Sequence, residues 1–252
     1  MTGLVIRPVR FTDQLSEMQR FLELIGLRPW IVSKSGGWCD MACGCGRVAL
    51  HEAKSSSGGN LPGQTTLSFE ADDVTALAKQ LTDSGLAAAD VFDEAYGRVL
   101  TCEDPAGDIV AVDERMDDFY GYRVLADTAT RASLRVMPVR FADPAGSYGS
   151  FLQTIGLEPA GDINPYYVNF RADDGEQGQV GLHHETDDPP VVTGGRAAAV
   201  QLTFESAEPL TDLAARLSGA GFLAQIVTED FGSFVVVTDP DGQPVQVHAP
   251  AA

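Results

Sequence analysis

Pro8-Val9-Arg10-Phe11 recurs as Pro138-Val139-Arg140-Phe141, and this recurrence governs how the rest of the chain is read. At the same offset of 130, Phe21-Leu22 through Ile25-Gly26-Leu27 returns as Phe151-Leu152 through Ile155-Gly156-Leu157. The offset is 132 where Val48 to Glu52 meets Val180 to His184, and it reaches 135 at Leu67-Ser68-Phe69-Glu70 against Leu202-Thr203-Phe204-Glu205. It is still 135 where Asp104-Pro105-Ala106-Gly107 meets Asp239-Pro240-Asp241-Gly242. Landmarks kept in order, with small insertions between them, are the pattern of a duplicated fold. The expected division is a first module over 1–116, a polar linker over 117–132 and a second module over 133–252.

Each half reads alike. A β-branched run from Val5 to Phe11 leads to Asp13 as the expected helix cap, then to a helix with Leu15, Met18, Leu22 and Ile25 on one stripe and Gly26 as its stop. In the twin, Asp143 is the expected cap and Gly156 the stop. Two or three strands follow, another strand feeds a second helix, and a hairpin turning at Asp104 to Gly107 closes the unit.

The 252 residues carry 36 acidic against 17 basic side chains, a formal charge of -19, with 44% hydrophobic residues. That apolar content builds a core and excludes a disordered acidic chain. The acidity argues against nucleic acid and anionic membranes as partners, since both recruit Lys and Arg. The N-terminal MTGLVIRPVRF has no apolar signal core, and no run of about 18 apolar residues occurs. A cytoplasmic protein is expected. Cys39, Cys43, Cys45 and Cys102 fit no disulfide framework and read as reduced thiols. No phosphate-binding GxxxxGK loop, helix-opening GxGxxG or GxSxG elbow is present.

The Asp-capped helix ending in Phe-Leu and Ile-Gly-Leu, followed by an Asp-Pro-x-Gly turn before the last strand, resembles the vicinal oxygen chelate superfamily in both halves. That superfamily contains glyoxalase I, bleomycin-resistance proteins and extradiol dioxygenases. The resemblance implies an α+β fold: two tandem βαβββ modules pairing into curled mixed sheets around a cleft. It also implies where a metal would be held: near the start of the first strand, on the strand before the second helix and on the last strand. Those positions carry Ile6, Thr66 and Ala111 in the first half and Val136, Gln201 and Gln246 in the second. Apolar side chains and neutral amides there do not suit a divalent ion.

No cofactor is therefore expected, and the favoured reading is a binding protein of the bleomycin-resistance type for a small organic metabolite or antibiotic, as a monomer or homodimer. The alternative is a divergent lyase, isomerase or dioxygenase, with His51, Glu52, Gln201 and Gln246 as a displaced metal set or His51 and His183 as bases. Strand alternation puts Val9 and Phe11 toward the helices, which places Arg10 and Arg140 on the concave side, to bind a ligand anion or to pair with nearby acids. Gln246 and His248 share one strand face. Trp30, Trp38, Tyr96, Tyr166, Tyr167 and Phe231 fall where rim loops are expected to offer flat stacking surfaces.

Overall fold

The structure is a computed structural model and describes residues 3–86, 90–94, 96–116, 120–125, 133–185 and 191–250. Each half holds two large sheets and two helices, α1 (Leu15–Ile25) and α2 (Val74–Asp83), then α3 (Ser147–Ile155) and α4 (Leu210–Gly219), and the second half adds a two-stranded hairpin of Val192–Thr193 with Arg196–Ala197. Three strands follow α1 (Arg28–Ser33, Trp38–Ala42, Arg47–Glu52), within the two or three expected, and three follow α2 (Asp90–Glu94, Gly97–Glu103, Ile109–Glu114) where a two-stranded hairpin was expected. The strand missed in the sequence is Asp90–Glu94, exposed at every position, so it carries no apolar alternation to detect.

The opening strand is broken at Pro8, which has no N–H to give to a ladder. Val5–Ile6 pairs with Ser68–Ala71 in one sheet, whereas Val9–Thr12 runs parallel to Arg47–Glu52 in the other. In the first half the sheet orders are Val5–Ile6, Ser68–Ala71, Ile109–Glu114, Gly97–Glu103, Asp90–Glu94, and Tyr122–Val124, Arg28–Ser33, Trp38–Ala42, Arg47–Glu52, Val9–Thr12, Thr65–Thr66. The second half repeats this order without a counterpart to Tyr122–Val124. That strand comes from the connector, and it lengthens the first half's sheet by pairing with Ser33, Val32 and Ile31.

Helix caps differ from expectation. Asp13 accepts from the Lys54 amide instead of capping α1, whose first turn begins at Gln14, while Thr12 Oγ1 accepts from the Gln14 N–H. Asp143 folds the turn before α3 by accepting from Ala145, and Gly146 is the cap. Asp73 is a true N-cap, accepting from Thr75 and Ala76 at the head of α2.

Both halves contribute to a single continuous core, in which Met18, Phe21, Leu77, Phe151, Ile155, Leu213 and Leu217 meet Phe69 and Phe204 from the sheets. The helices pair across the halves. Phe21 of α1 packs on Phe222 after α4 at 5.1 Å, and Gln80 of α2 donates to the Thr154 carbonyl of α3 at 2.6 Å.

The first strands meet the other half in the same reciprocal way. Ile6 donates to the Gln177 carbonyl at 2.9 Å, and Val136 donates to the Cys45 carbonyl at 2.8 Å. The loops that approach them need glycine. A Cβ on Gly178 (φ +92°) would lie 2.8 Å from Ile6 Cβ, and one on Gly46 (φ +89°) 3.0 Å from Val136 Cβ. Gly178→Ala is therefore expected to cost about 1–3 kcal/mol in chemical denaturation, from left-handed strain plus overpacking. A loss under about 0.5 kcal/mol would show that the approach of the two halves is loose.

Candidate functional site

A cavity of about 400 Å³ lies between the two sheets of the first half. One wall comes from Arg7, Glu70, Tyr96 and Asp113, the other from Trp30, Trp38, Asp40, Arg47, His51 and Tyr122. Its charged floor follows from strand register. Glu70 pairs with Val5 on one side and with Asp113 on the other, so both carboxylates share a face with Arg7, two residues on from Val5. Asp40 faces them from the opposite sheet.

Arg7 is 3% exposed and sits among these three acids. Its Nη1 donates to both Asp40 oxygens at 3.3 Å and lies 3.6 Å from Glu70, while Nη2 donates to Asp113. Burial alone would weaken the guanidinium charge, but Asp113, Asp40 and Glu70 together outweigh it and hold the group protonated. Burial pushes the Asp40 carboxyl up to about 6, against the pull of Arg7 and of a hydrogen bond from Trp38. Arg47 pairs with Glu70 and lies over the Trp30 ring at 3.8 Å, and Arg7 lies 5.5 Å from the Trp38 ring centroid. Tyr96 and Tyr122 meet edge to face at 6.0 Å, closing the wall where the connector strand joins the sheet. Burial pushes both phenols up, Tyr96 to about 12, so they stand in the wall as neutral donors.

His51 ends its strand in the cavity wall, between the rings of Phe11 and Trp38 at 5.4 Å each. Its Nδ1 lies 2.8 Å from the Glu52 carbonyl, which can only accept, so Nδ1 carries a proton and Nε2 is the nitrogen left to face the cavity. The Glu52 side chain turns away to Lys54, at 2.8 Å.

The second half replaces this polar floor. Met137, Tyr167, Asn169, Gln179 and His248 stand where the first half has Arg7, Trp38, Asp40, Arg47 and Asp113. Tyr167 lies over Gly181, where a Cβ would fall 2.5 Å from its hydroxyl, and that hydroxyl donates to Asn169 at 2.7 Å. Phe231, Phe234 and His248 form a stack, with Phe231 75% exposed at its outer end. His248 is half-buried inside the last strand, donates through Nε2 to Gln246 at 3.1 Å, and is pushed toward its neutral form by burial. His183 contacts Tyr167 and Phe141, its Nδ1 bound to the His184 carbonyl at 2.6 Å. Gln201 is buried and directs its amide to the Pro244 carbonyl. Tyr166 is 72% exposed on the surface.

Of the residues expected to form a site, Trp30, Trp38, Tyr96 and His51 therefore meet at one cavity, whereas Gln201, Gln246, His248, Tyr166, Phe231 and His183 belong to the other half. Arg10 and Arg140 are not on the concave side. Arg10 is buried against Asp239 and Asp241 of the second half's turn, and Arg140 against Asp104 and Asp108 of the first half's. Alternation runs on through Pro8, with Arg7, Val9 and Phe11 all on the cleft side beside Trp38, Ala49 and Ala53, and it is the face carrying Arg10 that the other half covers. The expectation failed because it took the apolar pair Val9 and Phe11 to meet helices, which also hid Arg7 and the acids that face it. One signal was available: Asp40 is a lone acid within the otherwise apolar Trp38-Cys39-Asp40-Met41.

The cysteines are all free thiols, and burial pushes Cys39 and Cys43 up to about 12, which leaves them unreactive. Among the described residues no group of three or more His, Cys, Asp or Glu is arranged to hold a metal ion, and no helix is long and apolar enough to cross a membrane.

No sequence family matches the chain, and no curated protein does. Solved structures match along its whole length. A Mn(II)-bound glyoxalase from Novosphingobium aromaticivorans aligns over 100% of this chain and 83% of its own at 13% identity, with a TM-score of 0.65. The 2,3-dioxygenase LapB from a Pseudomonas species aligns over 100% and 94% at 13% identity, with a TM-score of 0.65. The 2,2',3-trihydroxybiphenyl 1,2-dioxygenase from Sphingomonas wittichii aligns over 100% and 90% at 15% identity, with a TM-score of 0.63. The metal that such a fold implies does not fit this chain at the expected positions. Ile6 and Val136 are sealed in the core at the junction of the halves, Gln201 is bound to a backbone carbonyl and Gln246 to His248. In the first cleft, a protonated guanidinium stands among the acids. The arrangement of strands, helices and paired halves is what the chain has in common with these structures, and its fold is that of these glyoxalase and dioxygenase structures.

Proposed function

We propose that this chain is a small-molecule binding protein that takes a planar, aromatic organic ligand, a metabolite or an antibiotic, into the first-half cleft without a metal. The observation that carries this reading is the cavity itself, large enough for a compact ligand and walled by Trp30, Trp38, Tyr96 and Tyr122 around a few fixed polar groups. The chain works in the cytoplasm, which suits its free thiols, as a monomer or homodimer.

Trp30 and Trp38 are the only tryptophans of the sequence, and both line the cavity, so indole fluorescence reports its occupation directly. Native mass spectrometry of freshly purified protein, followed by fluorescence titration with any adduct found, is the test. An organic adduct that shifts the indole emission supports the reading. A stoichiometric divalent ion overturns it in favour of a lyase, isomerase or dioxygenase. His51 in the cavity wall, with Nδ1 held by the Glu52 carbonyl and Nε2 left over, is the feature that favours this second reading, since an imidazole so oriented can serve as a base.

A further inference from the structure

Two arginines in a ligand cavity invite an anionic ligand, but their partners argue the reverse. Arg7, Arg47 and Arg115 face Asp40, Glu70, Asp113 and Glu114 around the cavity. Glu114 is taken by Arg98 and Arg115 by Asp72, both from outside the lining. Among the described residues, what remains is Arg7 and Arg47 against Asp40, Glu70 and Asp113, one negative charge in excess. Both Nη atoms of Arg7 already donate to carboxylates, and its Nε, though unpartnered, is sealed from solvent. Arg47 gives its Nη1 to Glu70 and its guanidinium face to Trp30. The network opens at two side chains, Arg47 at 19% and Asp113 at 18% exposed, against 4% for Arg7, 5% for Asp40 and 7% for Glu70. Of these two, Asp113 carries the uncompensated charge, because its partner Arg7 is shared with Asp40 and Glu70.

We propose, on the footing of the binding function above, that the ligand of the first-half cleft is an aromatic monocation, with its ammonium or amidinium group on Asp113 and its ring beside the Tyr96–Tyr122 pair. An excess charge in a poorly solvated site is costly unless compensated, and a ligand cation supplies the missing unit. The tyrosine pair and Asp113 line the same cavity, so one ligand reaches both. Cation–π attraction to the same rings adds to the preference.

The test is a charge series on one ring. Benzylamine, benzyl alcohol and benzoate are titrated at neutral pH against the intact chain and its Asp113→Asn variant, with tryptophan fluorescence as the readout. Benzylamine is expected to bind at least about tenfold more tightly than benzyl alcohol, equivalent to about 1.4 kcal/mol, with benzoate weakest. Asp113→Asn is expected to bring the benzylamine-to-benzyl alcohol ratio near one. Benzoate binding as tightly as benzylamine, or a preference that survives Asp113→Asn, overturns the proposal. Should the variant not fold, the series on the unmodified chain decides alone. Absence of binding by all three overturns the binding function itself, a different result from binding with the wrong charge preference.

Discussion

Arg7→Ala is expected to destabilise the chain by about 3–5 kcal/mol at neutral pH, the cost of removing one partner from a buried ionic cluster. Arg7 is the cation that donates to Asp40 and that joins Asp40 of one sheet to Glu70 and Asp113 of the other. Without it, like charges face each other across the cleft, and Arg47 compensates Glu70 alone. Arg7→Lys is expected to recover part of the loss, because an ammonium keeps the charge but cannot fork between the two sheets. The pH dependence has a definite sign. Asp40 is raised from 3.8 to about 6 in the folded chain, so its contribution to stability is fully present below about 3.8 and is lost as pH rises through about 6. Losing Arg7 raises that carboxyl further, so the deficit of the variant relative to the parent shrinks on acidification from pH 8 to pH 5. Urea unfolding of both proteins at the two pH values checks this. A deficit under about 1 kcal/mol that does not change with pH would mean that the acids are solvated and the cleft is open to water.

Local chemistry made much of the fold legible. Gly26 and Gly156 end α1 and α3 with positive φ as the sequence indicated, and the Asp-Pro-x-Gly segments are turns that precede the last strands. Such features depend on a few neighbouring residues. The cavity does not. Arg7, Asp40, Glu70 and Asp113 are spread over 106 positions and meet only through sheet register. Alternation from Val9 and Phe11 assumed that helices cover the apolar face. That face lines the cleft together with Arg7, and the opposite face, carrying Arg10, meets the other half of the chain. The repeated Val-Arg-Phe and Asp-Pro-x-Gly motifs, read separately in the sequence, are partners of each other across the halves. One oxygen of Asp239 folds its own turn by accepting from Asp241 and Gln243, and the other takes Arg10. Asp104 accepts from Ala106 and Asp108 in the same way and offers its second oxygen to Arg140 and to the Tyr148 hydroxyl.

This double use makes the Arg10–Asp239 contact the second site of large expected effect. Arg10 is 1% exposed and Asp239 4%, and burial pulls both away from their charged forms, lowering the arginine and raising the aspartic acid, while each holds the other ionised. Arg10→Ala is expected to cost about 3–5 kcal/mol because it leaves a buried carboxylate without its cation. Arg10→Met combined with Asp239→Asn is expected to cost less than the sum of the single changes, since position 239 no longer strands a charge and the asparagine oxygen still accepts from the turn amides, while Asp241 keeps its bond from Thr12. Near additivity in that double-mutant cycle would show that the contact contributes no coupling. The mode of unfolding is a further expectation, because Trp30 and Trp38 both lie in the first half, whereas far-UV circular dichroism reports on the whole chain. The core runs through both halves without a break, and α1 and α2 pack on partners from the second half. Loss of the Arg10 contact is therefore expected to lower the unfolding midpoint while the two signals still coincide. A fluorescence transition separated from the circular dichroism transition would mean instead that the halves are held together chiefly by their paired arginines and aspartates, and that the shared core alone does not make them one cooperative unit.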